Sequence, residues 1–132
     1  MDKILVVDDN HSLRVEICDI LKMEKFEVIE ASDGLMALEM AKAEMPNLIL
    51  SDIMMPVLDG YQLHEELSKE PLTRNIPFIF ISALGDKTSV RKGMNLGADD
   101  YLTKPVCAEN MVASIKKRIE KSEKLLNNKA NL

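Results

Sequence analysis

Five short apolar runs alternate along this chain with five stretches of helical periodicity, and that alternation limits the fold more than any other feature. The runs are residues 3–7, 26–30, 48–51, 77–81 and 100–103. In Ile4–Val7 and Leu48–Leu50 the apolar character is unbroken, which marks strands covered on both faces. Between the runs, Leu13, Ile17, Ile20 and Leu21 keep a 3.6-residue period across 11–24. Leu35, Leu38 and Ala41 do so across 34–44, and Leu63 with Leu67 across 60–69. Val90 and Met94 mark 87–96, and Met111, Ile115 and Ile119 mark 107–124. Asp33-Gly34 opens the second helix, Asp59 with Gln62 forms a capping-box pair, Asp86 caps the fourth helix and Gly97 ends it. Connections this short force parallel strands and right-handed crossovers. The expected fold is α/β: a doubly wound five-stranded parallel sheet in the order 2-1-3-4-5, with its switch point between strands 1 and 3.

Size and charge narrow the function. At 132 residues the chain is one domain, and 46% hydrophobic with 30% charged residues describes an ordinary globule. Net charge is −5 and no block of five basic residues occurs, so direct nucleic-acid binding by this domain is not expected. No apolar run approaches the ~18 residues of a membrane span, and Met1-Asp2-Lys3 leads into a strand without a signal-peptide layout. Cys18 and Cys107 lie far apart and form no CxxC, which predicts reduced packing residues in a cytoplasmic protein. The nine methionines read as core filling. A domain over 1–122 is expected, with 123–132, polar at Asn127-Asn128, fraying or starting a linker to an output module.

The chemistry gathers at one sheet edge. Asp8 and Asp9 end the first run and Asp52 follows the third, so parallel strands bring all three carboxylates to their C-terminal ends. Anions this close repel, and burial raises their pKa values. A hard divalent cation and a cationic side chain would neutralise them, and Mg2+ suits one or two carboxylates, waters and a phosphate oxygen. Ser82 follows the fourth strand, and Lys104 follows the fifth and precedes Pro105.

The motifs Val6-Val7-Asp8-Asp9, Asp52-Ile53-Met54-Met55-Pro56 with Asp59-Gly60, Ile81-Ser82-Ala83, Gly97-Ala98-Asp99-Asp100 and Tyr101-Leu102-Thr103-Lys104-Pro105 resemble the receiver domain of two-component response regulators. The likeness covers residues 2 to about 122 and agrees in order, type and spacing. It implies a flavodoxin-like (βα)5 fold similar to the chemotaxis response regulator. It implies a phospho-accepting switch, not a turnover enzyme, which catalyses only its own phosphorylation and dephosphorylation. Asp52 would be the phosphoacceptor, taking a phosphoryl group from a sensor histidine kinase or phosphotransfer protein. Asp9, Asp52 and the Met54 backbone carbonyl would hold Mg2+, or Mn2+ in its place, with Asp8 acting through water. Lys104 would pair with Asp52 and then with a phosphoryl oxygen, Ser82 would donate a hydrogen bond to that group, and Lys104-Pro105 would be a cis peptide. Ser82 and Tyr101 would carry the switch to the face of helix 4, strand 5 and helix 5, and so to a downstream output domain or protein.

Some positions depart from that family. Met54 and Leu84 flank the reactive site where fast self-dephosphorylating members often carry polar residues, which predicts slow self-hydrolysis. Ser114 stands where transcription-factor receivers often carry a dimer-bridging arginine. That particular dimer loses an anchor, although a stripe of Met111, Ile115, Ile119 and Leu126 leaves a homodimer open. His11 and His64 are expected to be exposed or capping, and Lys116-Lys117-Arg118 a solvated helix face. Two other classes compete. A phosphatase of the haloacid-dehalogenase type would want a second aspartate where Met54 stands. A flavin-binding module would want a hydroxyl- and glycine-rich loop where Asp8-Asp9-Asn10 would repel a phosphate, and no GxGxxG or P-loop lysine motif occurs.

Overall fold

Each apolar run forms a strand and each periodic stretch a helix. The structure, a computed structural model, describes residues 1–130, with side chains up to Asn127. The order is β1 (Lys3–Val7), α1 (His11–Met23), β2 (Glu27–Ala31), α2 (Gly34–Glu44), β3 (Leu48–Ser51), α3 (Gly60–Ser68), β4 (Phe78–Ser82), α4 (Lys87–Asn95), β5 (Asp100–Thr103) and α5 (Ala108–Ala130). All strand pairs are parallel and the sheet runs β2-β1-β3-β4-β5. Among the described residues no helix is long and apolar enough to cross a membrane.

Side chains alternate across the strands, so successive residues feed opposite cores. Ile4, Val6, Leu48, Leu50, Ile79 and Ile81 pack with Ile17 and Leu21 of α1 and Met111, Ile115 and Ile119 of α5. Leu5, Val7, Ile49, Phe78 and Phe80 pack with Ala37 and Ala41 of α2 and Leu63 and Leu67 of α3 on the other face. The caps act locally. Asn10, Asp33, Asp59 and Asp86 each accept a backbone N–H from the first turn of their helix. Asp59 and Gln62 complete a reciprocal box. Gly97 takes φ +102° just past α4, a conformation that favours glycine, and its N–H reaches the Met94 carbonyl at 3.1 Å.

Several expectations are corrected. Cys107 is exposed and not a packing residue, and Met1, Met23, Met36, Met45, Met54 and Met94 are exposed and not core filling. The polar stretch from Ser122 prolongs α5 to Ala130, where Lys124 pairs with Glu120 one turn back at 3.3 Å. Residues 131–132 lie outside the described residues. His64 is neither exposed nor capping. It is 8% exposed and meets the Phe78 ring edge-on, with centroids 5.0 Å apart. It lies on the same helical face as Leu67, and that face meets the aromatic residues of β4.

Burial lowers the His64 pKa below 6.5, outweighing the opposite pull of Asp99 and of a backbone bond to Gly97. The unfolded chain therefore takes up this proton first as pH falls. Stability from this group is complete above about pH 6.5 and is lost as pH drops from there toward the lower folded-state pKa. Urea unfolding at about pH 7.5 and 5.5 should show a smaller acid loss in His64→Gln than in the native chain. An identical loss in both proteins would exclude His64 as the source.

Candidate functional site

The parallel register carries Asp8, Asp52 and Lys104 past the ends of adjacent strands. Val7 of β1 stands opposite Ser51 of β3, and Ser82 of β4 opposite Thr103 of β5. Each acidic residue or lysine follows its strand directly. Backbone bonds hold the edge: the Asp52 N–H donates to Val7 O at 2.9 Å, and the Lys104 N–H to Ser82 O at 2.8 Å.

Asp8 is 1% exposed and Asp52 8%, while Asp9 is open to solvent. Carboxylate oxygens of the three lie within 4.8 Å of one another. Lys104 Nζ donates to Asp8 Oδ2 at 3.0 Å and to Asp52 Oδ2 at 3.2 Å. The ammonium thus bridges two acids, Asp8 as well as the Asp52 partner that the resemblance implies. The remaining oxygens are also used: Asp8 Oδ1 accepts from the Asn10 N–H at 2.9 Å and Asp52 Oδ1 from the Ile53 N–H at 2.7 Å. Burial pushes the Asp52 pKa up. Lys104 pulls it back, Asp8 raises it again, and the net displacement is upward. Burial works against the Lys104 ammonium too, but the hydrogen bond to Asp8 and the charges of Asp52 and Asp8 leave its pKa raised. With all three carboxylates ionised around the one ammonium, the cluster carries a formal charge of −2.

The donor set fits Mg2+, being made of hard carboxylate oxygens, with Asp9 open to solvent. Asp9 also lines a cleft of about 560 Å3 with Met54, Met55, Pro56, Leu84 and Tyr61. Met54 is 64% exposed and Leu84 half-buried, so both put apolar surface at that mouth. Ser82 is buried, and its Oγ accepts the Leu84 N–H at 3.2 Å. The Tyr101 hydroxyl donates to the Leu84 carbonyl, and its ring tilts against Phe80 with centroids 6.0 Å apart. Ser82, Leu84 and Tyr101 are therefore linked in series from the acid edge to β5. The Lys104–Pro105 peptide is cis.

Response regulator receiver domain is the family whose model matches residues 4–116. The chain belongs to that family. The receiver is 44% identical over 121 residues to a probable transcriptional regulator ycf27 of Cyanophora paradoxa, covering 92% of this chain and 49% of the relative. It is 38% identical over 114 residues to the phosphate regulon transcriptional regulatory protein PhoB of Escherichia coli K12, covering 86% and 50%. The chain thus spans about half the length of the curated relatives it matches. Among solved structures, the receiver domain of sensor histidine kinase PA1611 from Pseudomonas aeruginosa PAO1 superposes with TM-score 0.84 at 28% identity, covering 90% and 98%. That protein carries a magnesium ion coordinated in its active-site cleft. The receiver is accordingly a signalling switch of a family whose general role is to accept a phosphoryl group.

Several residues of the receiver's site escaped the sequence reading. Arg14 donates to the Asp8 carbonyl at 2.7 Å and pairs with Glu30 at 3.1 Å, which braces the β1–α1 loop. Its position one turn into α1 was the only signal. Tyr61 stands edge-on to Phe80 at 5.3 Å, bonds the Ser89 carbonyl at 3.0 Å and lies under Lys92 Nζ at 4.5 Å. Val57, in the loop after Asp52, takes φ +68°, a strained choice for a β-branched residue. An apolar groove of about 340 Å3 beside Lys104 is lined by Leu13, Ile17, Ile20, Pro105, Val106 and Met111. Ser114 bonds the Asp100 carboxylate within the domain, so its hydroxyl is engaged at home.

Proposed function

We propose that Asp52 accepts a phosphoryl group from the phosphohistidine of a sensor histidine kinase or phosphotransfer protein. The observation that carries this reading is the crowding of Asp8, Asp9 and Asp52 around one ammonium, with the Asp52 pKa raised. A carboxylate oxygen of Asp52 bonds to phosphorus as the bond to the imidazole nitrogen breaks, and the imidazole leaves with that electron pair. Such a transfer has a loose transition state, so positioning and charge neutralisation supply most of the catalysis. Mg2+, held by Asp9, Asp52 and the Met54 carbonyl with Asp8 through water, supplies positive charge to the phosphoryl oxygens when bound; Mn2+ has the same donor preference. Lys104 turns from the carboxylates to the new phosphoryl group as a point charge. Ser82 donates to it and draws on Leu84. Leu84, whose N–H bonds Ser82 and whose carbonyl bonds Tyr101, passes that movement to Tyr101, and so to the face of α4, β5 and α5. The apolar groove beside Lys104 offers the partner a surface adjoining the acceptor. We place the protein in the cytoplasm, with residues from about 123 leading to an output module.

Acetyl phosphate should label the protein in Mg2+, but not in EDTA and not in Asp52→Ala. Label on another residue, or steady release of phosphate from simple phosphate esters, would refute the reading, the latter in favour of a phosphatase.

The phosphoform should be long-lived. Met54 and Leu84 offer no polar group to orient a water at the cleft mouth. Phosphate release timed on the purified phosphoprotein should be slow in the native chain and faster when Met54 is replaced by glutamate or asparagine. A native half-life of seconds would rule this out.

A further inference from the structure

We propose that a cavity at the end of the sheet opposite Asp52 binds a compact oxyanion carrying two or more negative charges. The cavity encloses about 290 Å3, roughly ten water volumes. It opens where Pro77 enters β4 and Asp99 enters β5, beneath the far half of α5. Arg74, Arg118 and Lys121 line it, against one carboxylate, Asp99. Asp99 is engaged elsewhere, since its Oδ2 accepts the Phe78 N–H at 2.8 Å. Among the described residues, none of the three cations pairs with a carboxylate within 4.0 Å. The cavity therefore carries a surplus of two positive charges, counting His64 as neutral.

Arg118 points to a ligand independently. Its Nε is buried and has no acceptor among the described residues. A buried charged donor left unmatched is costly, and native structures rarely keep one. An anion drawn in by the three cations would supply the acceptor once the side chains around Nε give way, since Nε itself has essentially no surface open to the cavity as it stands. The wall is also regular: Arg118, Lys121, Ser122 and Leu125 follow at i, i+3, i+4 and i+7, one face of α5. Ser122 and Asn75 add neutral donors beside the three charges. All four α5 residues lie beyond residue 116, where the family match ends. An open basic cavity of this small volume suits a compact phosphoryl compound or polycarboxylate better than an extended polymer backbone.

Pyrophosphate and citrate, titrated separately without Mg2+, distinguish the two chemistries. The reporter is the Arg118 Nε–Hε resonance in the isotopically labelled domain. A saturable shift with a dissociation constant of about 1 mM or tighter is expected. The double variant Arg74→Gln/Lys121→Gln, in which both changed positions are exposed, should weaken binding at least tenfold and leave the fold intact. A response to pyrophosphate alone assigns the site to phosphoryl groups, and a response to citrate alone or to both assigns it to carboxylates or to multivalent oxyanions generally. The proposal fails if the shift does not saturate, if NaCl at equal ionic strength reproduces it, if the double variant binds equally, or if shifts appear only around Asp8, Asp52 and Lys104.

Discussion

Asp52→Asn is expected to abolish phosphoryl labelling and, at neutral pH, to leave the domain more stable than the native chain, because burial works against the Asp52 charge. Burial and Asp8 raise the Asp52 pKa despite Lys104. The folded state thus holds this proton to higher pH than the unfolded chain does. The group's contribution is best below the unfolded value near 3.8 and declines as pH rises through the raised folded value. At neutral pH the full penalty applies, and asparagine removes it while keeping the shape. Lys104 is not stranded, because Asp8 remains at 3.0 Å. The melting temperature should rise, by about 3–5 °C for each kcal/mol gained. The difference should shrink at pH 4 and should narrow when Mg2+ is added, because the cation binds the native cluster and stabilises it by mass action. A variant less stable than the native chain at pH 7 would show that the Lys104–Asp52 pair outweighs the burial cost.

Gly60→Ala is expected to destabilise the domain by about 3 kcal/mol, at the upper end for an overpacked site, and to lower the melting temperature by about 10 °C. A Cβ on Gly60 would stand 2.3 Å from the Asp52 carbonyl oxygen and 2.8 Å from the Ile53 Cα. Both obstacles are backbone, so no rotamer change relieves them. The Gly60 N–H also donates to the Ile53 carbonyl at 2.8 Å, and the required shift would break that bond. The displaced backbone is that of the acceptor itself, so labelling by acetyl phosphate should slow as well. Gly85→Ala is the matched comparison: the three atoms nearest its Cβ all belong to the Thr103 side chain, the closest at 2.6 Å, and a side chain can turn away. Urea midpoints and labelling rates of both variants check this, and equal behaviour of the two would refute the backbone argument.

Much of the site could be read along the chain because its parts end strands. Asp8, Asp52, Ser82 and Lys104 each sit at or just past the last apolar residue of a run, and strand order follows from short crossovers. The pairing within the edge was less legible. Lys104 and Asp8 are 96 positions apart, and no local pattern ranks Asp8 against Asp52 as its neighbour. His64 was misjudged because a polar residue on a helix reads as outward-facing. Its edge contact with Phe78 exists only once α3 packs on β4. The end of α5 was misjudged for a related reason: polarity was taken as the end of the helix, although Lys, Glu, Leu and Asn at 121–127 include good helix formers.

By itself the sequence determined the five βα units, the caps that start the helices and the edge at which the acids gather. Those depend on residue period and on backbone hydrogen bonds within a few positions, which neighbours in the chain settle. Tertiary structure decided which carboxylates share the one ammonium, how Ser82 connects through Leu84 to Tyr101, and where the Arg118 Nε is covered without an acceptor. These depend on distances between groups brought together from separate elements, and a difference of one or two ångströms there separates an ion pair from two solvated charges.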